Sequence, residues 1–320
     1  MDIIYTDVNG TELGYLVRTS VDINIGDTND FEIAVGIKNG LLDYGDRFFV
    51  EDTEYGGIVK RRTVNTKTNK ISYGGYTWRG ILSKKIVCPL SGQNYYTVSG
   101  NFSSVCKSLI SYTDLDKLFL YDDATRDIAI GMYQFERYDT LLNGFVKMLA
   151  KVNCRLKLRY KERYVYVSAE PIRDYSDEIE LSSDGNVKVK IEDDRDFVNH
   201  LICLGKGELA DRTVIHLFLQ KNGTIGTLQF YSGTDEITDV YDYPNAENED
   251  DLILKGKEKF LSLITQKKMD VNVEGIDVEL GEIIGGREYI TGTVIKKPIT
   301  DKIITIDENG STKISYKVGD

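Results

Sequence analysis

Apolar and polar residues alternate with period two along most of this chain. Val21-Asp22-Ile23-Asn24-Ile25 and Phe31-Glu32-Ile33-Ala34-Val35 each place their apolar side chains on one side of an extended backbone, the mark of a half-buried strand. Residues 3–7 and 12–17 flank Val8-Asn9-Gly10-Thr11. Asn-Gly between strand-like runs predicts a hairpin on a type I′ turn, which needs positive φ at both central residues. Further strands are expected at 47–50, 57–65, 70–73 and 76–86. Seven or so short strands with Gly and Asn/Asp turns between them predict a small closed or nearly closed β domain ending near Cys88-Pro89.

The period then changes. Asn101 is positioned to cap a helix carrying Phe102, Val105, Leu109 and Ile110 on one face. Asp139 is positioned to cap a second, with Tyr138, Leu141, Leu142, Phe145, Val146, Leu149 and Val152 as its apolar stripe and Tyr138 stacked over Leu142. Asn153 is its expected stop. Two alternating strands follow at 154–160 and 164–168. A hairpin on two helices predicts an α+β layer over residues 89–186.

Strands resume after the turn expected at Asp184-Gly185, at 187–191, 198–204, 212–219 and 225–231. The acidic run 247–251 leads into a helix near 250–266 that ends on Lys267-Lys268, charges that suit the helix dipole without a metal. Residues 269–273 and a last hairpin turning at Asp307-Glu308-Asn309-Gly310 complete a third region, 187–320. The fold class is therefore mainly β with an α+β insertion.

The C-terminal region also repeats the N-terminal one. Gly45-Asp46-Arg47-Phe48-Phe49-Val50, Tyr55 to Arg62 and Lys70-Ile71-Ser72-Tyr73 recur as Gly281-Glu282-Ile283-Ile284, Tyr289 to Lys297 and Lys313-Ile314-Ser315-Tyr316. Self-similarity at this distance predicts a duplicated supersecondary unit. Lys60, Arg61 and Arg62 end one repeat strand, and Lys296 and Lys297 are expected at the equivalent place in the other. Two matched basic patches in an acidic protein are candidate partner contacts, set against solvated strand ends.

Composition narrows the function classes. A net charge of −11 argues against stable nucleic-acid binding and is compatible with an acidic wall past which DNA slides. No apolar run approaches the roughly 20 residues of a membrane-spanning helix. The N-terminus lacks the basic and apolar regions of a signal peptide, so synthesis and first use in the cytoplasm are expected. The 21 tyrosines suit extensive interfaces or half-exposed strand faces equally. Cys88, Cys106, Cys154 and Cys203 are widely spaced without a CxxC pair and are read as buried thiols.

No chemical motif stands out. His200 and His216, the two histidines of the chain, fall in strand-like runs and are read as structural. His200 and Cys203 are not on one face of a strand, so no zinc set is assembled. Gly205-Lys206-Gly207-Glu208 lacks the ending of a phosphate loop and is read as a tight turn. Tyr121 to Asp127 lacks the glycine and distal glutamate of a calcium loop, and Glu192 to Asp196 reads as a polar loop. No catalytic residue, cofactor or metal is expected.

Taken together, Tyr76-Thr77-Trp78-Arg79-Gly80-Ile81-Leu82, Asp194 to Asn199 leading to Gly205-Lys206-Gly207-Glu208, Gly285 to Gly292 and Lys296-Lys297-Pro298-Ile299-Thr300 resemble the bacteriophage baseplate hub and tail-tip proteins. The resemblance covers essentially the whole chain, in order. It implies two tail-tube-like β-barrels, residues 1–88 and 187–320, separated by the α+β insertion, in a chain that trimerises. Six similar modules would match a sixfold tail tube to a threefold tip and frame a DNA channel, with a spike or fibre on the other face. It also implies a virion-tail location, with assembly in the host cytoplasm. The chain ends four residues past its second KISY, so the wall-degrading extension of larger members is not expected. A DNA-free contractile particle would use the same ring. The competing reading from composition is a glycan-binding or glycan-hydrolysing β protein.

Overall fold

The computed structural model describes residues 1–124, 127–176, 180–182, 188–192, 197–264, 268–272, 277–287 and 294–319. The turn expected at Asp184-Gly185, the polar residues 193–196, Thr125-Arg126, the helix end at Lys267 and the repeat segment 288–293 lie outside the described residues. Met1–Lys190 with Met269–Asp320 form one compact unit and Ile191–Lys268 a second.

In the first unit, β1 (Ile4–Thr6) and β2 (Glu12–Tyr15) form the expected hairpin. Its turn is not type I′. Gly10 alone of the turn residues takes a positive φ, 82°, and the Asp7 carboxylate accepts the backbone N–H groups of Asn9 and Thr11 at 2.8 Å each. The side-chain acceptor widens the loop by closing it with its own hydrogen bonds. β3 (Ser20–Ile25), β4 (Asp30–Gly36), β5 (Arg47–Phe49), β6 (Gly56–Asn65) and β7 (Lys70–Thr77) follow, and alternation buries Val21, Ile23, Phe31 and Ile33 as read.

The strand expected over 76–86 stops at Thr77 and becomes a short helix, α1 (Trp78–Ser83), whose Gly80 N–H is accepted by the Thr77 hydroxyl at 3.3 Å. Trp78 stacks on Tyr160, which stacks on Phe49, with ring centroids 5.2 and 4.1 Å apart. Arg79 is also buried. It meets the Glu54 carboxylate and the Leu156 carbonyl at 2.9 Å each.

β8 (Ile86–Val87) and β9 (Thr97–Asn101) lead to α2 (Phe102–Tyr112), then β10 (Phe119–Tyr121), β11 (Ala129–Gln134), β12 (Asp139–Thr140) and α3 (Leu141–Ala150). β13 (Cys154–Lys161) and β14 (Tyr164–Pro171) are the expected hairpin, with β10 added parallel to β14. The helix starts differ from the reading. Asn101 makes no side-chain cap, and Asp127 accepts the Ser103 N–H at 2.9 Å instead. Thr140 caps α3. Tyr138 lies before the helix at φ 60° and is exposed, so it does not stack on Leu142. The apolar core runs without a break from Phe49, Trp78 and Leu82 through α2, α3, β13 and β14. For this reason the first unit shows no seam at the boundary expected near residue 88.

β15 (Glu180–Ser182) and β16 (Lys188–Glu192) lead into the second unit. There β17 (His200–Leu204) pairs antiparallel with β18 (Val214–Leu219) and parallel with β20 (Thr238–Asp242), and β19 (Ile225–Gly226) edges β18. The strand expected over 225–231 is thus two residues long. α4 (Glu249–Leu263) is capped by Asn248 and packs Leu252, Gly256 and Phe260 onto Leu201, Cys203 and Leu217. A Cβ on Gly256 would come within 2.6 Å of the Cys203 sulfur, so the helix sits close to the sheet. Lys268 does not end this helix. It opens β21 (Lys268–Asn272), which is followed by β22 (Ile283–Arg287), β23 (Val294–Ile306) and β24 (Thr312–Val318).

The duplicated unit is visible in the strand order. The large sheet runs β16-β21-β24-β23-β3-β4-β7-β6-β5-β1-β2. Its first eight strands are one four-strand pattern laid down twice, β16-β21-β24-β23 and then β3-β4-β7-β6. β5 flanks β6, and β22 flanks β23. Closure into a barrel is not traced among the described residues.

Candidate assembly edge

The two copies agree down to individual hydrogen bonds. Asp43-Tyr44-Gly45-Asp46 precedes β5 and Glu279-Leu280-Gly281-Glu282 precedes β22. In each, the last carboxylate accepts the first residue's N–H, at 2.7 and 2.9 Å. In each, the glycine has positive φ, 91° and 85°, and donates to the facing strand, to Val59 and to Ile299. Both long strands carry an irregularity at the same place, between Val59 and Arg61 and between Ile299 and Asp301. Both KISY segments share one burial pattern, ending on Tyr73 and Tyr316 at 2% exposure each.

These ladders correct the expected match between basic residues. Ile58 and Pro298 face corresponding residues of the flanking strands, as do Arg62 and Lys302 opposite the two KISY tyrosines. Lys60, Arg61 and Arg62 therefore correspond to Thr300, Asp301 and Lys302, whereas Lys296 and Lys297 correspond to Gly56 and Gly57. Clustered charge misleads here because the shared bulge, not the lysines, sets the register.

The copies differ in what lies beside them. On the β23 edge away from β24, residues 302–306 pair with β3, from Lys302 opposite Ile25 to Ile306 opposite Val21. The matching β6 edge, from residue 61 onward, has no strand beside it among the described residues. Lys302 and Ile304 are fully buried, while their counterparts Arg62 and Val64 expose 42% of the side chain and 52% of the residue. At the far end of the sheet β16 has β21 on one side and, among the described residues, no strand on the other. An uncovered edge of this length is a template for another strand.

The predicted contact residues fall into two groups. Lys60 and Arg61 are exposed near that edge, and Arg62 meets Asp43 at 3.5 Å with its guanidinium over the Tyr44 ring. Lys296 is exposed elsewhere and holds Asp174 at 2.8 Å, and Lys297 is half-buried opposite Ile284. The polar side of β3 and β4 adds an acidic strip: Asp22 stands opposite Glu32, with Asp30 close by and Arg61 lying over Gly74. Burial, then the charges of Asp30 and Glu32, push the Asp22 carboxyl up from its usual range.

One arrangement escaped the sequence reading. His200 and His216 lie on neighbouring strands and touch, Nε2 to Nδ1 at 2.8 Å, and His200 Nδ1 meets Glu236 at 2.7 Å. Alternation along two antiparallel strands was the available signal. Among the described residues no three His, Cys, Asp or Glu side chains gather as a metal site, and no helix is long and apolar enough to cross a membrane.

Neither a family model nor a curated protein matches the chain. Solved structures do. A tail protein from Neisseria meningitidis MC58 aligns at TM-score 0.58 and 14% identity over 100% of this chain and 96% of that one. The 43 kDa tail protein of prophage MuSo2 from Shewanella oneidensis aligns at 0.62 and 11% over 99% and 98%. Prophage tail protein gp18 from Listeria monocytogenes EGD-e aligns at 0.52 and 14% over 99% and 94%. The chain has the fold of phage and prophage tail proteins.

Proposed function

We propose that this chain is a structural, non-enzymatic hub or tail-tip protein of a phage or phage-like particle, three copies of which close into a pseudo-sixfold ring. One observation carries the reading: the seam that buries Lys302 and Ile304 against β3 has an uncovered counterpart at Arg62 and Val64 on β6, and β16 ends the sheet with no strand beyond it among the described residues. Pairing β6 of one copy with β16 of the next repeats the internal seam between chains. Three internal and three intermolecular seams then close the ring through the repeated four-strand units.

Because Val21, Ile23, Phe31 and Ile33 face the protein core, the alternate residues Asp22 and Glu32 face the bore. An acidic wall repels the DNA backbone and lets a genome pass without sticking. Lys60, Arg61 and Arg62 contact the neighbouring chain or the adjoining tube, and Lys296 and Lys297 contact another tail component. The tail tube or distal tail protein occupies one face of the ring and a spike or fibre the other.

Native mass spectrometry with class averages of negatively stained particles tests this. A three-copy ring with sixfold appearance is expected at micromolar chain concentration, and Val64→Glu is expected to leave monomers. A wild-type chain that stays monomeric up to the highest soluble concentration, or a Val64→Glu chain that still forms the ring, overturns the proposal.

A further inference from the structure

The second unit holds a chain of three hydrogen-bonding side chains that the assembly reading does not use. The sheet β19-β18-β17-β20 packs one face against α4. His200, His216 and Phe218 lie on its other face, where Val214 and Val240 are 46% and 53% exposed. His200 is nearly buried, at 8% exposure, and its ring stacks on Phe218 with centroids 4.3 Å apart. Its Nδ1 lies 2.7 Å from Glu236 Oε1 and 3.2 Å from the Thr238 hydroxyl. A neutral imidazole beside a carboxylate donates its proton there, which leaves the lone pair on Nε2. That nitrogen points at His216 Nδ1, 2.8 Å away, and His216 is open to solvent.

We propose that His200 Nε2 and His216 Nδ1 together chelate one divalent transition-metal ion, with Glu236 as the carboxylate that fixes the inner imidazole. Three features favour a ligand here over a plain structural contact. The chain's two histidines meet, although 16 positions apart, on adjacent strands. The acceptor behind His200 is the arrangement that raises ligand basicity and fixes the tautomer. The spacing also selects among metals. With metal–nitrogen bonds of about 2.0–2.1 Å, two nitrogens 2.8 Å apart subtend nearly a right angle. This suits neighbouring positions of a square-planar or octahedral ion, Cu²⁺ or Ni²⁺, and requires Zn²⁺ to spread the pair toward its tetrahedral angle. Binding moves the proton shared between the two rings, by exchange with solvent, to the exposed His216 Nε2, so both ligands are neutral imidazoles, and water fills the remaining positions.

Equilibrium dialysis of the tag-free full-length chain against CuCl₂, NiCl₂ and ZnCl₂ at neutral pH provides the test. About one Cu²⁺ per chain is expected, bound more tightly than Ni²⁺ or Zn²⁺. His216→Ala, an exposed substitution that spares the core, should abolish this equivalent, and Glu236→Gln should weaken it about 10–100-fold. Electron paramagnetic resonance of the Cu²⁺ complex should show two equatorial imidazole nitrogens. No binding by the wild type at millimolar metal, unchanged binding by His216→Ala, or a spectrum without two coordinated imidazoles each overturns the assignment.

Discussion

Arg62 and Lys302 occupy the same position in the two copies of the repeat, and each meets the acid that opens its own turn, Asp43 at 3.5 Å and Glu279 at 3.0 Å. One ion pair is therefore built twice, once in water and once in the interior. Lys302 is fully buried, donates also to the Val278 carbonyl, and has its ammonium near the faces of Tyr55 and Tyr316. Burial raises the Glu279 carboxyl and pushes the Tyr316 hydroxyl to about 12.

Removing the cation should thus cost very different amounts in the two copies. Lys302→Met is expected to destabilise by about 2–4 kcal/mol, somewhat less than for a wholly buried pair because Glu279 is a third exposed. Arg62→Met in the dissociated chain should cost about 0.5 kcal/mol or less. Urea midpoints of the two variants decide the matter, and equal shifts would refute the contrast.

The seam between the copies depends on a glycine. Gly26 has φ 134°, and a Cβ there would lie 2.2 Å from the Thr300 carbonyl oxygen. Asp301 on the same strand accepts the Asp27 N–H at 3.0 Å. Gly26→Ala should cost about 2–4 kcal/mol through backbone strain and parting of the strands. Amide exchange should localise the loss to β3 and the 302–306 part of β23. Protection unchanged there would show that the seam tolerates a side chain.

Asp22 faces Glu32 with a buried, unpaired carboxylate oxygen. A folded-state pKa raised above the unfolded 3.8 means that folding binds protons, so the ionised carboxylate destabilises as pH rises through its folded pKa. Asp22→Asn should stabilise by a few tenths of a kcal/mol at pH 7, after solvent screening, and by nothing below the unfolded pKa. Thermal melts across this range test the sign. A destabilised variant at pH 7 would mean that Asp22 has a partner.

Lys296 holds the Asp174 carboxyl at about 2, with help from Ser176. The pair's contribution is present above 3.8, the unfolded value, and disappears as pH falls through about 2. In Lys296→Ala, carboxyl ¹³C titration should show Asp174 moving toward 3.8. An unmoved midpoint would assign the depression to Ser176.

What was legible in the sequence was periodic or repeated. Alternation marked β3, β4, β13 and β14, the helical stripe of Leu141, Leu142, Phe145 and Leu149 marked α3, and the doubled KISY marked the duplication. Failures arose where tertiary contact outvoted local pattern. Trp78 to Leu82 looks like strand, yet the Thr77 cap and the stack on Tyr160 make it helical. Tyr138 satisfied the apolar stripe but takes a left-handed turn. The basic residues were matched by charge, whereas the equivalence follows from a bulge that composition does not encode. The histidine pair depends on a strand register that no single stretch of chain reveals.

The pairing of Ile25 with Lys302 also sets a schedule for biosynthesis. β4 follows β3 directly from the ribosome, but residues 302–306 of β23 are made much later, so the other edge of β3 must wait through the synthesis of everything between them. Nascent chains released before residue 306 would carry that edge unsatisfied and clump. Quality control of this protein is thereby concentrated on the interval between the making of these two strands.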